Sequence, residues 1–229
     1  MDNNIEKHIE EICIKANKAS KSLSHASSKS KNQALQLIAK HIKKDKNDIL
    51  KANSIDIKSA RENNISEALL DRLLLNESRI NDMIKGLDNI ILLNDPIGSE
   101  IKKWTPKNGI NMSQTRVPIG VIGIIYESRP NVTADASALA LKSGNAIILR
   151  GGSESFHSSS AIVKSIKNGL KESDISEDCI QMVNTISRDA VGALLNMSKY
   201  INLIIPRGGK ALIERVQIDS KIAVLSHLD

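Results

Sequence analysis

Short apolar runs that alternate with helical segments fill the second half of this sequence, and they constrain the fold more than any other feature. The runs lie at 120–126, 146–149, 179–183, 201–205 and 222–225, and the segments between them have helical spacing. A continuous apolar run without polar alternation is typical of a strand that is buried on both faces of a parallel sheet. Strands that alternate with helices in this way are joined by right-handed crossovers. The sequence therefore predicts an α/β fold whose core, over residues 119–229, is a Rossmann-like doubly wound sheet.

The first hundred residues predict a helical layer. Apolar residues recur every three or four positions from Ile5 to Leu23 and again over 34–42, which is the spacing of one buried helix face. Asn76 followed by Glu77 predicts another helix start, because asparagine caps a helix and an acidic residue in the first turn complements the helix dipole. We expect residues 1–99 to pack as helices against the sheet, with no recognisable chemistry of their own.

A β-hairpin is predicted at 100–118. Two runs that can extend, 101–105 and 110–116, flank a segment that ends in Asn108-Gly109, and Asn-Gly is a strong signal for a hairpin turn. Two strands alone are only marginally stable in water, so such a ribbon needs another surface. A second subunit is one such surface.

Composition argues against several classes of protein. The 229 residues are 41% hydrophobic and 25% charged, as in an ordinary globular chain of one large or two small domains. No apolar stretch approaches the ~18 residues needed to span a bilayer, so no membrane is expected. Aromatic residues are 2% of the chain, which leaves few platforms on which bases could stack. The net charge of +6 therefore indicates a solvated basic surface or a site for anionic ligands, with no nucleic-acid partner.

The chain start and the cysteines favour a cytoplasmic protein. Residues 1–7 are polar and mixed in charge, unlike a signal or transit peptide. Cys13 and Cys179 cannot form a disulfide framework, so we predict a reducing compartment in which both are inert core thiols. No metal site is predicted, because no CxxC or HExxH motif occurs. The histidines also form no pair at ligand spacing; they are His8, His25, His41, His157 and His227.

Four polar residues follow the first strand, at the place where ligands bind in open parallel sheets. They are Glu127, Ser128, Arg129 and Asn131. An arginine can hold a carboxylate or phosphate through two parallel hydrogen bonds, and an asparagine amide can donate to a developing oxyanion. The alternative is a simple turn in which Asn131 caps the next helix.

An arginine and paired glycines follow two other strands. They are Arg150, Gly151 and Gly152 after the second strand, and Arg207, Gly208 and Gly209 after the fourth. Glycine lets the backbone approach a ligand closely, and the helix that follows offers free N–H groups to an anion. Arg150 is suited to a phosphate such as the 2′-phosphate of NADP, although a glycine-rich turn capped by Ser153 is the alternative. Neither segment matches a Walker or GxGxxG motif. Together they predict two turns, at the tips of neighbouring strands, that grip a nucleotide or another polyanion.

Three runs of residues carry a resemblance to a known family. They are 117–133, with Tyr-Glu-Ser-Arg-Pro-Asn at its centre, 142–154, with Leu-Arg-Gly-Gly-Ser-Glu, and 205–210, which reads Ile-Pro-Arg-Gly-Gly-Lys. The sequence resembles the gamma-glutamyl phosphate reductases, also called glutamate-5-semialdehyde dehydrogenases, within the aldehyde dehydrogenase superfamily. The resemblance covers essentially the whole chain in order and is strongest over 117–154 and 204–210.

The resemblance implies an aldehyde-dehydrogenase-type architecture. A Rossmann-like NADP-binding domain would include residues 1–99, a catalytic domain would be separate, and the hairpin would be an arm through which the complete enzyme forms a homo-oligomer. The implied reaction is the NADPH-dependent reduction of L-glutamyl 5-phosphate, through a cysteine thioester, to L-glutamate 5-semialdehyde and phosphate in proline biosynthesis. By matching motif, the cofactor-binding residues would be Arg150, Gly151, Gly152, Arg207, Gly208 and Gly209. The substrate end would be lined by Glu127, Ser128, Arg129 and Asn131, and which of these serves the oxyanion is left open.

The nucleophilic cysteine of the family has no counterpart here. The resemblance places it in a Gly-x-Cys-His run just after the fifth strand, where this sequence has Ser-His-Leu-Asp at 226–229, and neither Cys13 nor Cys179 matches that position. We therefore expect this chain to be the cofactor-binding portion of the enzyme, without the catalytic domain and inactive alone. A half of a split enzyme, completed by a second chain that carries the catalytic domain, and a non-catalytic nucleotide-binding module are the alternatives.

Overall fold

A four-stranded parallel sheet forms the centre of the protein. The structure, a computed structural model, describes residues 3–226, and of residue 3 only the backbone. Residues 1–2 and 227–229, which include His227 and most of the segment in which the family cysteine is expected, lie outside the described residues. The strands are β1 (Glu100–Trp104), β2 (Met112–Thr115), β3 (Val121–Tyr126), β4 (Ala146–Arg150), β5 (Ile180–Met182) and β6 (Leu203–Arg207). The α-helices are α1 (Asn3–Leu23), α2 (Ser28–Lys44), α3 (Lys46–Glu62), α4 (Glu67–Leu73), α5 (Glu77–Leu92), α6 (Asn131–Lys142), α7 (Phe156–Lys171), α8 (Asp189–Leu195) and α9 (Lys210–Asp219).

The order of strands across the sheet is β5-β4-β3-β6, and all of its pairs are parallel. The chain moves outward from β3 through β4 to β5, with α6 and α7 packed on one face. It then returns to the other side of β3 by way of α8, which packs on the opposite face together with α1. The winding direction therefore reverses between β3 and β6, and sheets of this kind bind their ligands at such a point, beyond the carboxyl ends of the strands. The predicted Rossmann-like α/β fold is confirmed.

Alternate residues of the central strands face the two helical layers. Ile124 and Tyr126 of β3 lie in the core shared with α2, α5, α6 and α7. Ile125 of β3 and Ile148 of β4 lie in the core shared with α1 and α8. Because both faces are covered, these strands carry no polar alternation.

The strand β6 begins two residues later than the predicted run at 201–205. Asn202 is used instead to hold the start of β3, because its Oδ1 accepts the Val121 N–H at 2.9 Å. The same oxygen would lie only 2.3 Å from a Cβ at position 120, where the backbone has φ +122°. Gly120 is therefore required by both the close approach and the dihedral angle.

The prediction of a full fifth strand at 222–225 is wrong. The segment makes a single parallel bridge, between Val224 and Ile204. In that bridge the Ile204 N–H donates to Ala223 O, and the Leu225 N–H donates to Ile204 O, each at 2.9 Å. Ile222 is buried, but Ala223 and Leu225 are exposed, so the segment buries too little surface to extend the ladder.

The helices predicted over 5–23, over 34–42 and from Asn76 onward are all present. Asn76 Oδ1 accepts the Arg79 N–H at 2.8 Å and so caps α5 as expected. The sequence did not indicate α3, in which half of the buried residues are polar, namely Asn53 and Asp56. No helix within residues 3–226 is long and apolar enough to cross a membrane.

A buried carboxylate joins the helical layer to the sheet. Asp56 of α3 is 3% exposed, and it accepts the His157 N–H at 3.2 Å and the Ser158 N–H at 2.7 Å, at the start of α7. Burial raises the pKa of this carboxyl, and the hydrogen bonds from Ser158 and His157 oppose the rise. Because α7 follows the first arginine-glycine turn, this contact fixes the helix that leaves that turn.

The predicted hairpin at 100–118 is present as β1 and β2. The two strands are antiparallel, with Trp104 opposite Met112, and every residue in them is exposed. Gly109 has φ +79°, and its N–H donates to Pro106 O at 2.9 Å. Within residues 3–226, therefore, neither face of the hairpin is buried.

Candidate cofactor and substrate site

The polar segments predicted after three strands lie at one edge of the sheet. In the ladder, Ile125 of β3 is paired with Arg150 of β4, and Tyr126 of β3 is paired with Arg207 of β6. The two arginine-glycine turns therefore share an edge, as predicted, but their strands are not neighbours, because β3 lies between them. With a spacing of about 4.8 Å between strands, the two arginine backbones are roughly 10 Å apart.

Glu127 occupies the point at which the winding reverses. Its N–H donates to Arg207 O at 3.2 Å, and its Oε2 accepts the Gly209 N–H at 3.0 Å. A Cβ at Gly208 would lie 2.5 Å from Glu127 Cδ. The glycine therefore makes room for this carboxylate, which sits at the amino end of α9, where the helix dipole favours negative charge.

The guanidinium of Arg150 is turned toward the backbone of the protein. The residue is 7% exposed; its Nη1 donates to Gly151 O, and its Nη2 donates to Ile186 O at 3.3 Å and to Ser187 O at 3.4 Å. Its Nε is buried and has no hydrogen-bond partner among the described residues. Burial lowers the pKa of Arg150, and the nearby Glu154 and Tyr126 oppose this fall. Arg150 thus ties its own turn to the loop before α8.

Arg207 has the opposite environment. Its side chain is exposed, and its guanidinium makes no hydrogen bond or ion pair within residues 3–226. The residue stands beside Glu127 and Gly209 at the reversal point. Of the two arginines in the predicted turns, Arg207 is therefore the one available to an anion from solution.

The glycines of the first turn serve close packing. A Cβ at Gly151 would lie 3.1 Å from Tyr126 Cζ and Oη, and Tyr126 is 2% exposed with its hydroxyl 2.7 Å from Thr133 Oγ1. A Cβ at Gly152 would lie 3.3 Å from Ser128 N. Ser128 is itself 7% exposed and has φ +20°, a value that side-chain-bearing residues rarely adopt.

The two caps considered as alternatives for these turns are not formed. Asn131 begins α6, but Pro130 precedes it as the cap and no side chain caps the helix. The Asn131 Nδ2 instead donates to Asp135 Oδ2 at 3.1 Å, one turn further along. Ser153 lies in a single 3₁₀ turn before α7, and Ser155 stands at the cap position of that helix without a side-chain cap bond.

Arg129 and Asn131 open onto a separate cleft of about 330 Å³. The other walls come from α4, from α5 and from the segment between them, and Glu127 and Ser128 are not among the lining residues. The four predicted substrate residues therefore divide between the reversal point and this cleft. The lining residues are Asp71, Arg72, Leu74, Leu75, Arg79, Asp82, Met83, Arg129, Asn131 and Asp135. The expectation that the first hundred residues carry no chemistry did not anticipate these arginines and aspartates, because no local motif marks them.

Both cysteines have the environment of buried, unactivated thiols. Cys13 and Cys179 are both buried, and burial raises the pKa of each thiol to about 12. A catalytic cysteine needs a lowered pKa and access to the substrate. Among the described residues, no three His, Cys, Asp or Glu side chains are grouped so as to hold a metal ion.

Comparison with known proteins decides the family. The family model described as "Aldehyde dehydrogenase family" matches residues 2–224. This chain belongs to the aldehyde dehydrogenase family. It is similar to the gamma-glutamyl phosphate reductase of Paramagnetospirillum magneticum, with 50% identity over 94% of this chain and 51% of that protein. It is also similar to the gamma-glutamyl phosphate reductase of Psychrobacter arcticus, with 48% identity over 97% of this chain and 52% of that protein.

Solved structures of the family have the same fold. The crystal structure of gamma-glutamyl phosphate reductase from Thermotoga maritima superimposes with a TM-score of 0.93 and 43% identity, covering 95% of this chain and 53% of that one. The reductase from Saccharomyces cerevisiae gives a TM-score of 0.89 and 32% identity, covering 96% of this chain and 56% of that one. The chain spans about half the length of the curated relatives that it matches.

Proposed function

We propose that this chain is the cofactor-binding portion of a gamma-glutamyl phosphate reductase, which reduces L-glutamyl 5-phosphate to L-glutamate 5-semialdehyde and phosphate with NADPH. The observation that carries the proposal is the similarity, across almost the whole chain, to relatives that bear this name. In this proposal residues 1–99 are the helical part of the cofactor domain, 100–118 the oligomerisation arm and 119–229 the NADP-binding core.

The reversal point fits a phosphate-bearing cofactor. The Gly209 N–H already holds a carboxylate at 3.0 Å, so an anion is accommodated at the start of α9. Arg207 stands exposed beside it without a partner among residues 3–226. We assign Arg207, Gly208 and Gly209 to a phosphate of the cofactor. Bound NADPH would supply the hydride that reduces the glutamyl acyl group.

Arg150, Gly151 and Gly152 are proposed to hold the cofactor less directly. The Arg150 guanidinium holds its turn against the loop at 186–187, and its buried Nε has no hydrogen-bond partner among the described residues. These residues would therefore shape the surface beneath the nucleotide.

The nucleophile and the assembly follow from the same proposal. Both thiols of this chain are buried with pKa values of about 12, so the thioester would be formed by a cysteine of the catalytic domain, in the same polypeptide or on a second chain. The isolated chain would then be inactive as a reductase. The exposed hairpin, with Ile101 at 51% and Trp104 at 38% exposure, would pair with another copy in the complete enzyme.

A cofactor titration tests the proposal. We expect NADPH fluorescence to change as this chain is added, and we expect Arg207→Gln to weaken the affinity about tenfold, because a charge-assisted contact to phosphate is lost. Lys221→Gln is the matched control, since Lys221 is also exposed but lies beyond the end of α9. Absence of binding in the folded chain would overturn the proposal, as would equal effects of the two substitutions.

A turnover assay tests whether the reaction requires a cysteine of the catalytic domain. With L-glutamate 5-semialdehyde, phosphate and NADP⁺ in the reverse direction, the isolated chain is expected to produce no NADPH. Steady turnover by the isolated chain would contradict the requirement for a cysteine from the catalytic domain, and its loss when both cysteines are replaced by serine would place the nucleophile in this chain.

A further inference from the structure

The cleft of about 330 Å³ that Arg129 and Asn131 share with α4 and α5 has an unusual charge arrangement. Its volume lies at the small end of the range for small-molecule sites, about 300–1,000 Å³. It combines arginines and aspartates on facing elements, which suits a ligand that carries both charges.

The arginines of this cleft differ in how far they are already engaged. Arg79 donates to Leu74 O at 2.8 Å and to Asp71 Oδ1 at 2.7 Å, so it shapes the wall between α4 and α5. Arg72 and Arg129 are exposed, and the guanidinium of neither makes a hydrogen bond or ion pair within the described part of the chain. Two cations therefore remain available to an anionic group in the cleft.

Asp135 supplies negative charge to the cleft from α6. It projects from α6, one turn after Asn131, and the Asn131 amide donates to its Oδ2 at 3.1 Å. Its Oδ1 lies 3.5 Å from the Cβ position of Gly86, so α5 approaches the carboxyl closely. This packing raises the pKa of Asp135, and the hydrogen bond from Asn131 opposes the rise. A cationic ligand group beside it would favour the ionised form.

We propose that this cleft binds the amino-acid end of the glutamyl substrate, with Arg129 and Arg72 holding the α-carboxylate and Asp135 holding the α-ammonium group. The proposal rests on the proposed function and adds to it the residues that select an α-amino acid. Arg129 and Glu127 are two residues apart, so their Cα atoms are separated by at most about 7 Å. A glutamyl group held in the cleft could therefore extend its γ-acyl end toward the reversal point, where the cofactor is assigned.

Three stable esters serve as probes of the cleft. L-Glutamate γ-methyl ester has both α-groups, monomethyl glutarate lacks the ammonium, and methyl 4-aminobutyrate lacks the carboxylate. Binding to this chain would be followed by NMR chemical-shift titration up to about 10 mM, a range suited to weak ligands. We expect the glutamate ester to bind more tightly than either single-group analogue.

Two substitutions separate the charged groups. Arg129→Gln is expected to weaken the binding of the glutamate ester and of monomethyl glutarate about tenfold, and to leave the binding of methyl 4-aminobutyrate unchanged. Asp135→Asn is expected to weaken the binding of the glutamate ester and of methyl 4-aminobutyrate, and to leave the binding of monomethyl glutarate unchanged. Arg61→Gln is the matched control, because Arg61 is exposed on α3 and does not line the cleft. Circular dichroism verifies that each variant is folded.

The outcomes distinguish this inference from the proposed function. If NADPH binds but the glutamate ester does not, the assignment of the cleft is overturned and the cofactor assignment stands. The same holds if NADPH binds and neither substitution changes the affinity for the glutamate ester. If the ester binds with the expected pattern but NADPH does not, the cleft assignment stands and the proposed function fails.

Discussion

The two arginine-glycine turns have the same order of residues but opposite environments. In each, a strand ends in arginine, two glycines follow and a helix begins within a few residues. Arg150 is 7% exposed and tied to backbone carbonyl groups, whereas Arg207 is exposed and unpaired within residues 3–226. Gly151 makes room for the ring of Tyr126, whereas Gly208 makes room for the carboxylate of Glu127.

The difference follows from where each strand lies in the sheet. β4 is an inner strand between β3 and β5, and Arg150 follows Ile148 on the face that packs under α1 and α8. Its side chain therefore enters a covered region and meets the loop before α8. β6 lies on the far side of β3, where the winding reverses and the helices of the two faces part. An identical local pattern thus becomes a structural brace in one place and an accessible site in the other.

The largest expected effect is on stability at Arg150. Arg150→Met keeps most of the apolar stem but leaves the carbonyl oxygens of Gly151, Ile186 and Ser187 without this donor. We expect it to lower the free energy of unfolding by about 3 kcal/mol, measured by urea denaturation. Arg207→Met is expected to change it by less than about 0.5 kcal/mol, as is usual at an exposed position. Equal losses in the two variants would remove the distinction between brace and accessible site.

The glycines provide an intermediate effect. A Cβ at Gly151 would lie 3.1 Å from the ring of Tyr126, which is buried, whereas the nearest atom to a Cβ at Gly209 is Glu127 Oε1 at 4.0 Å. Gly151→Ala is therefore expected to destabilise the protein by about 2 kcal/mol, in the range of overpacked cores. Gly209→Ala should cost less, about 0.5–1 kcal/mol, because Gly209 is the N-cap of α9 and alanine is a poorer N-cap than glycine. A thermal melt of both variants measures the contrast, and a neutral Gly151→Ala would show that the ring of Tyr126 has room to shift.

The sheet could be predicted because its signals are local. A run such as 146–149 is apolar throughout, and Gly144 ends the preceding helix with φ +72°, so strand and boundary are both marked in the sequence. The position of the polar residues at one edge of the sheet could also be predicted, because parallel strands have their carboxyl ends at the same edge. The start of β6 could not be predicted, because Asn202 is withdrawn from the strand by a contact with Val121, far away in the chain.

The cleft could be predicted only in part. Arg129 and Asn131 were indicated because they follow a strand, but Arg72 and Asp82 lie in a helical region with no motif of its own. Asp82 reaches the site through the packing of α5 on α6, and Arg72 reaches it because Arg79 of α5 holds the neighbouring Asp71 of α4. No local spacing reveals either contact. The same limit applies to Arg150, whose pairing with the loop at 186–187 depends on how the sheet is covered.

The smallest expected effect concerns the carboxylate at the accessible turn. Glu127 holds the Gly209 N–H at 3.0 Å, so a phosphate that binds the start of α9 must compete with it for this donor and overcome its charge. Glu127→Gln is therefore expected to strengthen NADPH binding about threefold at low ionic strength, and the gain should shrink as salt is added because the residue is exposed. Glu214→Gln, later on the same helix, is the matched control and should change the affinity little. Weaker binding by Glu127→Gln in the fluorescence titration would show that the carboxylate organises the turn for the cofactor. The turn at Arg207 would then resemble the turn at Arg150, because in each a charged side chain would fix the backbone of the turn.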